Sequence, residues 1–325
     1  MQSSRIGRLA GSAMLLILGL LIAPARRSAG QMQGSPDELP TIKVDVQLVS
    51  LTATVEDRSQ RPVTGLDKTD FDLYEDGVRQ DISVFHGERI PVSVGIVFDT
   101  SGSMVDKIDE VQDAVLHFAD TTNPEDEIFL VQFSRQASLV EDFTGDRQRL
   151  RRAIQRLQPG GATALYDAVV LGLQHLQSGK YKKKALLVIT DGNDTDSSAT
   201  LDEAVLTAQQ SEAIVYTIGI GHGEHGSFGH IGGGFKDTVD VNVLRRFSDT
   251  TGGRTFIIEG SHRRGGVDLI DQAALSISGD LRSQYTLGYY PRNKNRDGSY
   301  RRIEIRTRNN KYLVRTREGY FAPRG

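Results

Sequence analysis

In the stretch FDTSGSMVDK, residues 98–107, a carboxylate and two hydroxyls fall at alternate positions: Asp99, Ser101 and Ser103. An unbroken apolar run, PVSVGIV, precedes them and a pattern of helical period follows, so they stand where a buried strand gives way to a turn. Three chemistries use such a set. A serine nucleophile needs a strained elbow of the form GxSxG with His and Asp partners. Here Asp99 stands two residues before Ser101, and His117 falls on the following helix with nothing to bring it to the hydroxyl. An aspartic-protease dyad needs Asp-Thr-Gly or Asp-Ser-Gly twice, whereas this chain reads Asp99-Thr100-Ser101-Gly102, once. The third chemistry is a hard-cation site.

Two other places in the sequence fit that third use. In an open α/β sheet, ligands gather at the carboxyl ends of the strands. Asp99 ends one predicted strand, and Asp191 ends another in LLVITDG. Between them, PGGATALYD puts Thr163 on a glycine-loosened loop immediately before a helix. Gly102, Gly160, Gly161 and Gly192 allow tight turns and close backbone approach. The donors Asp99, Ser101, Ser103, Thr163 and Asp191 are all oxygen, which suits Mg²⁺, Mn²⁺ or Ca²⁺ rather than zinc or copper. Such ions take about six oxygens or more, so water or a partner supplies the remainder. Two carboxylates only balance a divalent charge. If one of them acts through water the metal stays electrophilic, and an Asp or Glu side chain of a partner protein is the natural last ligand.

The elements that must hold these residues change character along the chain. Residues 41–90 alternate with period two, as in Leu51, Ala53 and Val55, and FDLYEDGVRQDISVF reads as two strands about an Asp76-Gly77 turn. From Pro91 apolar strands alternate with amphipathic helices. VSVGIVF is followed by a helix bearing Ile108, Val111, Val115 and Phe118; EIFLVQF, KALLVIT, AIVYTIGI and RTFII are further strands. Helices are predicted over DRQRLRRAIQRL, ALYDAVVLGLQHL, LDEAVLTAQQSE, VNVLRRFSDTTGG and VDLIDQAALSISGDLRSQ. The fold class is therefore α/β: a Rossmann-like, doubly wound, mostly parallel sheet over residues 91–283. Residues 284–325 return to period two, and pairing with 41–90 would give a β-sandwich-like module that neither flank could form alone.

The joint pattern of Asp-x-Ser-x-Ser, a distant Thr after Gly-Gly-x and a strand-ending Thr-Asp-Gly resembles the metal-ion-dependent adhesion site of von Willebrand factor type A domains. The resemblance covers residues 91–283 and matches at all five positions. It implies that Asp99, Ser101, Ser103 and Thr163 are near ligands and that Asp191 acts directly or through water. The flanks VTGLDKTDFDLYEDGVRQDISVF and YTLGYYP…GSYRRIEIRT…GYFAP are similar to those of an exported bacterial family of type A domain proteins first described from acidobacteria. That resemblance implies metal-dependent binding of a protein partner rather than catalysis. Two alternatives are an accessory subunit of an envelope assembly coupled to an ATPase-driven machine, and a metal-dependent hydrolase. The hydrolase would have to draw its general base from loop histidines.

The rest of the sequence sets boundaries. Residues 1–30 carry Arg5 and Arg8, an apolar stretch from Ala13 to Ala23 and small-residue sites at APA and RSAG, the layout of a secretory signal peptide. The stretch is short for a spanning helix of about 20 residues, while Arg26 and Arg27 leave an uncleaved N-terminal anchor as the alternative. Residues 31–40 read as a linker. A secreted or periplasmic bacterial protein with no cysteine must rely on its core and on metal. With 38% hydrophobic and 25% charged residues the chain is neither disordered nor collagenous, and its net charge of −3 exerts no pull towards nucleic acid. The tail from Arg292 to Arg317 has ten Lys or Arg against two acids, which suits a solvated strand face or attraction to an anionic envelope surface. No aromatic stacking pattern accompanies it, so nucleic acid is not a partner. Asp194 and Asp196 read as a polar rim, with Asp196 standing where an EF-hand loop requires Gly. The tract 221–235, with His222, Glu224, His225 and His230 among seven glycines, reads as a mobile insertion rather than a transition-metal site.

Overall fold

A computed structural model describes residues 47–87, 90–191, 193–221, 240–258, 263–264 and 267–325. The expected leader, the 31–40 linker, Gly192 and the histidines of the 221–235 tract lie outside the described residues. The chain opens with β1 (Val49–Glu56), β2 (Phe71–Glu75), β3 (Val78–Gln80) and β4 (Ile82–His86). Asp76 and Gly77, between β2 and β3, have φ of 47° and 78°. Positive φ at both central residues belongs to a type I′ turn, whose twist suits a tight hairpin.

The α/β portion runs β5 (Ser93–Asp99), α1 (Ile108–Thr121), β6 (Glu127–Phe133), β7 (Ala137–Thr144), α2 (Arg147–Ile154), α3 (Leu165–Leu176) and β8 (Lys184–Thr190). It continues through α4 (Leu201–Gln210), β9 (Ile214–Ile220), α5 (Val241–Thr251) and β10 (Thr255–Ile258). The short pair β11 (Arg263–Arg264) and β12 (Val267–Asp268) precedes α6 (Leu269–Ser283). The tail supplies β13 (Tyr285–Tyr289), β14 (Tyr300–Thr307), β15 (Leu313–Arg315) and β16 (Gly319–Phe321).

The central sheet has the order β10-β9-β8-β5-β6-β7. All its pairs are parallel except β6 with β7. Strand residues alternate between two cores, as the pleat requires. Val94, Ile96 and Phe98 pack with Val111, Val115 and Phe118 of α1 and Ile270 and Ile277 of α6. Val97, Phe129 and Val131 pack on the other face with Val169 and Leu173 of α3 and Phe247 of α5. Gly172 lets α3 approach closely, because a Cβ there would fall 2.8 Å from Val97. The mostly parallel, doubly covered sheet expected from the pattern is present. β7 was not legible in that pattern, being an antiparallel edge strand with no fully buried residue.

The flanks form two sheets, β15-β1-β13-β4 and β16-β14-β2-β3, each joining N-terminal and C-terminal strands. Val49, Leu51, Phe71, Leu73, Leu287, Ile303 and Ile305 fill the space between them, which is the expected sandwich-like module. At its heart Arg301 pairs with Glu75 at 3.4 Å, and the Tyr289 and Tyr320 hydroxyls donate to Glu75 at 2.5 and 2.9 Å. A second network joins module and α/β portion. Glu56 of β1 pairs with Arg254, while Arg315 of β15 reaches Glu56 at 3.4 Å and Asp280 of α6 at 2.5 Å. Gln284 donates to Tyr216 of β9 at 3.0 Å.

Candidate metal centre

β5 and β8 are neighbours, and chain connections leave them in opposite directions along the sheet: β5 leads to β6 on one side, β8 to β9 on the other. This is the topological switch point, where a crevice opens beyond the strands' carboxyl ends. Asp99, the last residue of β5, is fully buried there. Its Oδ2 accepts a bond from the Thr190 hydroxyl at the end of β8, at 2.6 Å. Its Oδ1 accepts from the Ser101 N–H at 2.7 Å. Thr100 ties the same turn to β6, its N–H donating to the Phe133 carbonyl at 2.7 Å. Gly102–Met104 then form one 3-10 turn, plugged by the buried Met104.

That turn sets the hydroxyls side by side. Ser101 Oγ and Ser103 Oγ are 3.0 Å apart, and Ser103 Oγ donates to Asp191 Oδ1 at 2.7 Å. Ser101, Ser103 and Asp191 thus form one continuous chain of side-chain oxygens, and Asp99 joins it through the Ser101 N–H. The fifth, Thr163, is brought in through its loop: the Gly102 N–H donates to the Gly161 carbonyl at 3.0 Å, and the Gly160 N–H to the Thr100 carbonyl at 2.7 Å. Thr163 itself donates its N–H to Thr195 Oγ1 at 3.0 Å and is almost fully buried. Its hydroxyl makes no hydrogen bond to the other four among the described residues. Gly161 has a φ of 96°, which disfavours any residue with a Cβ. Gly102 is not under that constraint, since a Cβ there would meet the Gly161 carbonyl only at 3.5 Å.

The electrostatics separate the two acids. Among the described residues Asp99 is held by neutral donors alone, and burial, reinforced by the nearby Asp191 charge, pushes its carboxyl up to about 6. Asp191 instead pairs with Lys107, Nζ to Oδ2 at 2.5 Å, with both side chains buried. Sequence reasoning missed Lys107, because a lysine one residue ahead of a helix ordinarily reads as solvated. A hard divalent cation fits this donor set: the side-chain oxygens of Ser101, Ser103 and Asp191 lie within hydrogen-bond reach of one another, none of the donors is nitrogen or sulfur, and among the described residues the buried Asp99 carboxylate has no positive partner. Among the described residues no group of three or more His, Asp or Glu could hold a metal, so the centre is hydroxyl-rich and carries only two carboxylates.

Neighbouring acids have structural tasks. Asp194 accepts from the Tyr166 N–H at 3.1 Å and the Ser197 hydroxyl at 2.5 Å, and Asp167 accepts from the Ser198 and Ala199 N–H groups. Both brace the first turn of α3. In the basic tail, Arg292, Arg301, Arg306, Arg315 and Arg317 each have a carboxylate partner.

Comparison with known proteins bears on the same region. An uncharacterized protein of Borreliella burgdorferi is 30% identical over 140 residues, 39% of this chain and 40% of that one. Human inter-alpha-trypsin inhibitor heavy chain H4 is 29% identical over 119 residues, 33% of this chain and 13% of that one. The chain thus spans less than half the length of the curated relatives it matches. Among solved structures, BatB from Bacteroides thetaiotaomicron is 18% identical with a TM-score of 0.47, over 59% of this chain and all of that one. A von Willebrand factor type A protein from Catenulispora acidiphila is 14% identical with a TM-score of 0.46, over 86% and 74%. The family model of the von Willebrand factor type A domain matches residues 94–193, which include all five candidate ligands.

Proposed function

We propose that this chain is an exported, metal-dependent protein-binding module. A divalent cation, Mg²⁺ with Mn²⁺ or Ca²⁺ as alternatives, is held by Asp99, Ser101, Ser103, Thr163 and, directly or through water, Asp191. It accepts an Asp or Glu carboxylate from a partner protein. The observation that carries this reading is the run of Ser101, Ser103 and Asp191 oxygens at the switch point, beside Asp99 buried among neutral donors. The matched domain and the flanks' similarity to an exported bacterial family support the same role. Among the described residues no helix is long and apolar enough to cross a membrane. Half of the basic residues in the tail already have carboxylate partners, which lowers the support for an anionic envelope surface as the partner.

The test is calorimetric titration of the full chain with Mn²⁺, wild type beside Asp99→Ala. Saturable binding at one site in wild type and none in the variant supports the reading. Selection of displayed random peptides in Mn²⁺ and in EDTA then probes the partner. Asp or Glu enriched only with the metal supports the carboxylate, and equal enrichment in EDTA sinks it.

A further inference from the structure

Lys107 gives the centre a charge that the five oxygen ligands do not reveal. Its ammonium lies 2.5 Å from Asp191 Oδ2, while the other oxygen of that carboxylate accepts the Ser103 hydroxyl at 2.7 Å. Lys107 and Asp191 keep only 6% and 0% of their side chains exposed, so water screens the pair little. A cation is thus already installed on one of the two acids. It is tethered by the turn that carries Ser101 and Ser103, and it stands immediately before α1.

With both aspartates ionised, the pocket without Lys107 would hold two negative charges and neutralise a divalent ion completely. With Lys107 it holds one net negative charge. A divalent ion then leaves one positive charge uncompensated in a buried setting, and a single incoming carboxylate cancels it. Taking the metal-dependent reading above as its basis, we propose that Lys107 is a resident counter-cation that competes with the divalent ion. It weakens binding of the ion alone and makes retention depend on a partner's carboxylate. The same ammonium holds Asp191 in place before any metal arrives.

The experiment is titration of the full chain with Mn²⁺ after EDTA treatment, comparing wild type, Lys107→Met, Lys107→Gln, Lys107→Arg and Asp99→Ala. The two neutral variants are expected to bind Mn²⁺ about ten- to a thousandfold more tightly; the upper figure is a unit charge and a divalent ion about 8 Å apart with an effective dielectric constant of about 20. Lys107→Arg stays near wild type. In EDTA the neutral variants melt below wild type, and Mn²⁺ closes that gap. Equal or weaker binding by both neutral variants, with wild type binding and Asp99→Ala silent, overturns the role of Lys107 and leaves the metal centre standing. Silence from every protein overturns both. Tight binding by the neutral variants where wild type is silent supports the competition in its strongest form.

Discussion

Asp99→Asn separates the charge of the buried ligand from its shape. The amide oxygen keeps the bond from the Ser101 N–H, and the amide nitrogen donates to Thr190 Oγ1, reversing one bond while preserving both contacts. In the folded, metal-free chain burial pushes the Asp99 carboxyl up to about 6, against an ordinary value near 3.9. As pH rises from about 4 to about 6, the unfolded chain releases this proton while the folded chain retains it. Stability contributed by the protonated form is therefore lost across that window. Above it the deficit reaches about 3 kcal/mol. In EDTA at pH 7.5 Asp99→Asn is accordingly expected to be more stable than wild type by up to about 3 kcal/mol, a few degrees in melting temperature. The advantage shrinks by pH 5 and vanishes near pH 4. Saturating Mn²⁺ reverses the order, because a thousandfold excess over the dissociation constant adds about 4.1 kcal/mol to wild type alone. Thermal unfolding by circular dichroism across these conditions is the assay. If Asp99→Asn is the less stable protein in EDTA at pH 7.5, the Asp99 charge is already compensated and the reasoning fails.

Three further outcomes are expected. Burial pushes the Lys183 ammonium down to about 8, so the folded chain loses this proton before the unfolded one; stability relative to Lys183→Met rises by up to about 3 kcal/mol between pH 8 and 10, measured as urea midpoints. Arg315→Met strips Asp280 of its partner and Glu56 of one of two, costing about 3 kcal/mol in the same assay. Gly161→Ala forces a Cβ onto a residue with a φ of 96°. It should cost about 1–2 kcal/mol and weaken Mn²⁺ binding further by shifting the loop that carries Thr163, a loss that calorimetry separates from stability.

The parts of this molecule that repeat were legible in its sequence. Apolar strands alternating with helices specify a covered parallel sheet, and strand ends then place Asp99 and Asp191 together without further information. The alternation in β14 likewise separates Ile303 and Ile305 from Arg302, Glu304 and Arg306. What stayed hidden depends on pairing between distant segments. β7 has too little buried surface to mark a period, and β16 is only three residues long. Arg301 shares the buried face of β14 because Glu75 waits on β2, and no local pattern announces that. Lys107 is the same case at the metal centre: its burial follows from Asp191, 84 positions away.

The pairing of β4 with β13, His86 opposite Thr286, makes the α/β portion a guest inserted between adjacent strands of a host sandwich. While the guest is disordered, closing the host means joining the ends of a loop of roughly 200 residues, an entropic cost of about 5 kcal/mol. Once the guest folds, its two ends emerge side by side and that cost largely disappears. The host should therefore zip up last, with β1 and β4 waiting as unpaired edges for β13. A guest that misfolds leaves those edges open to proteases and to other chains. Closure of the sandwich thus becomes a checkpoint on the domain that carries the centre.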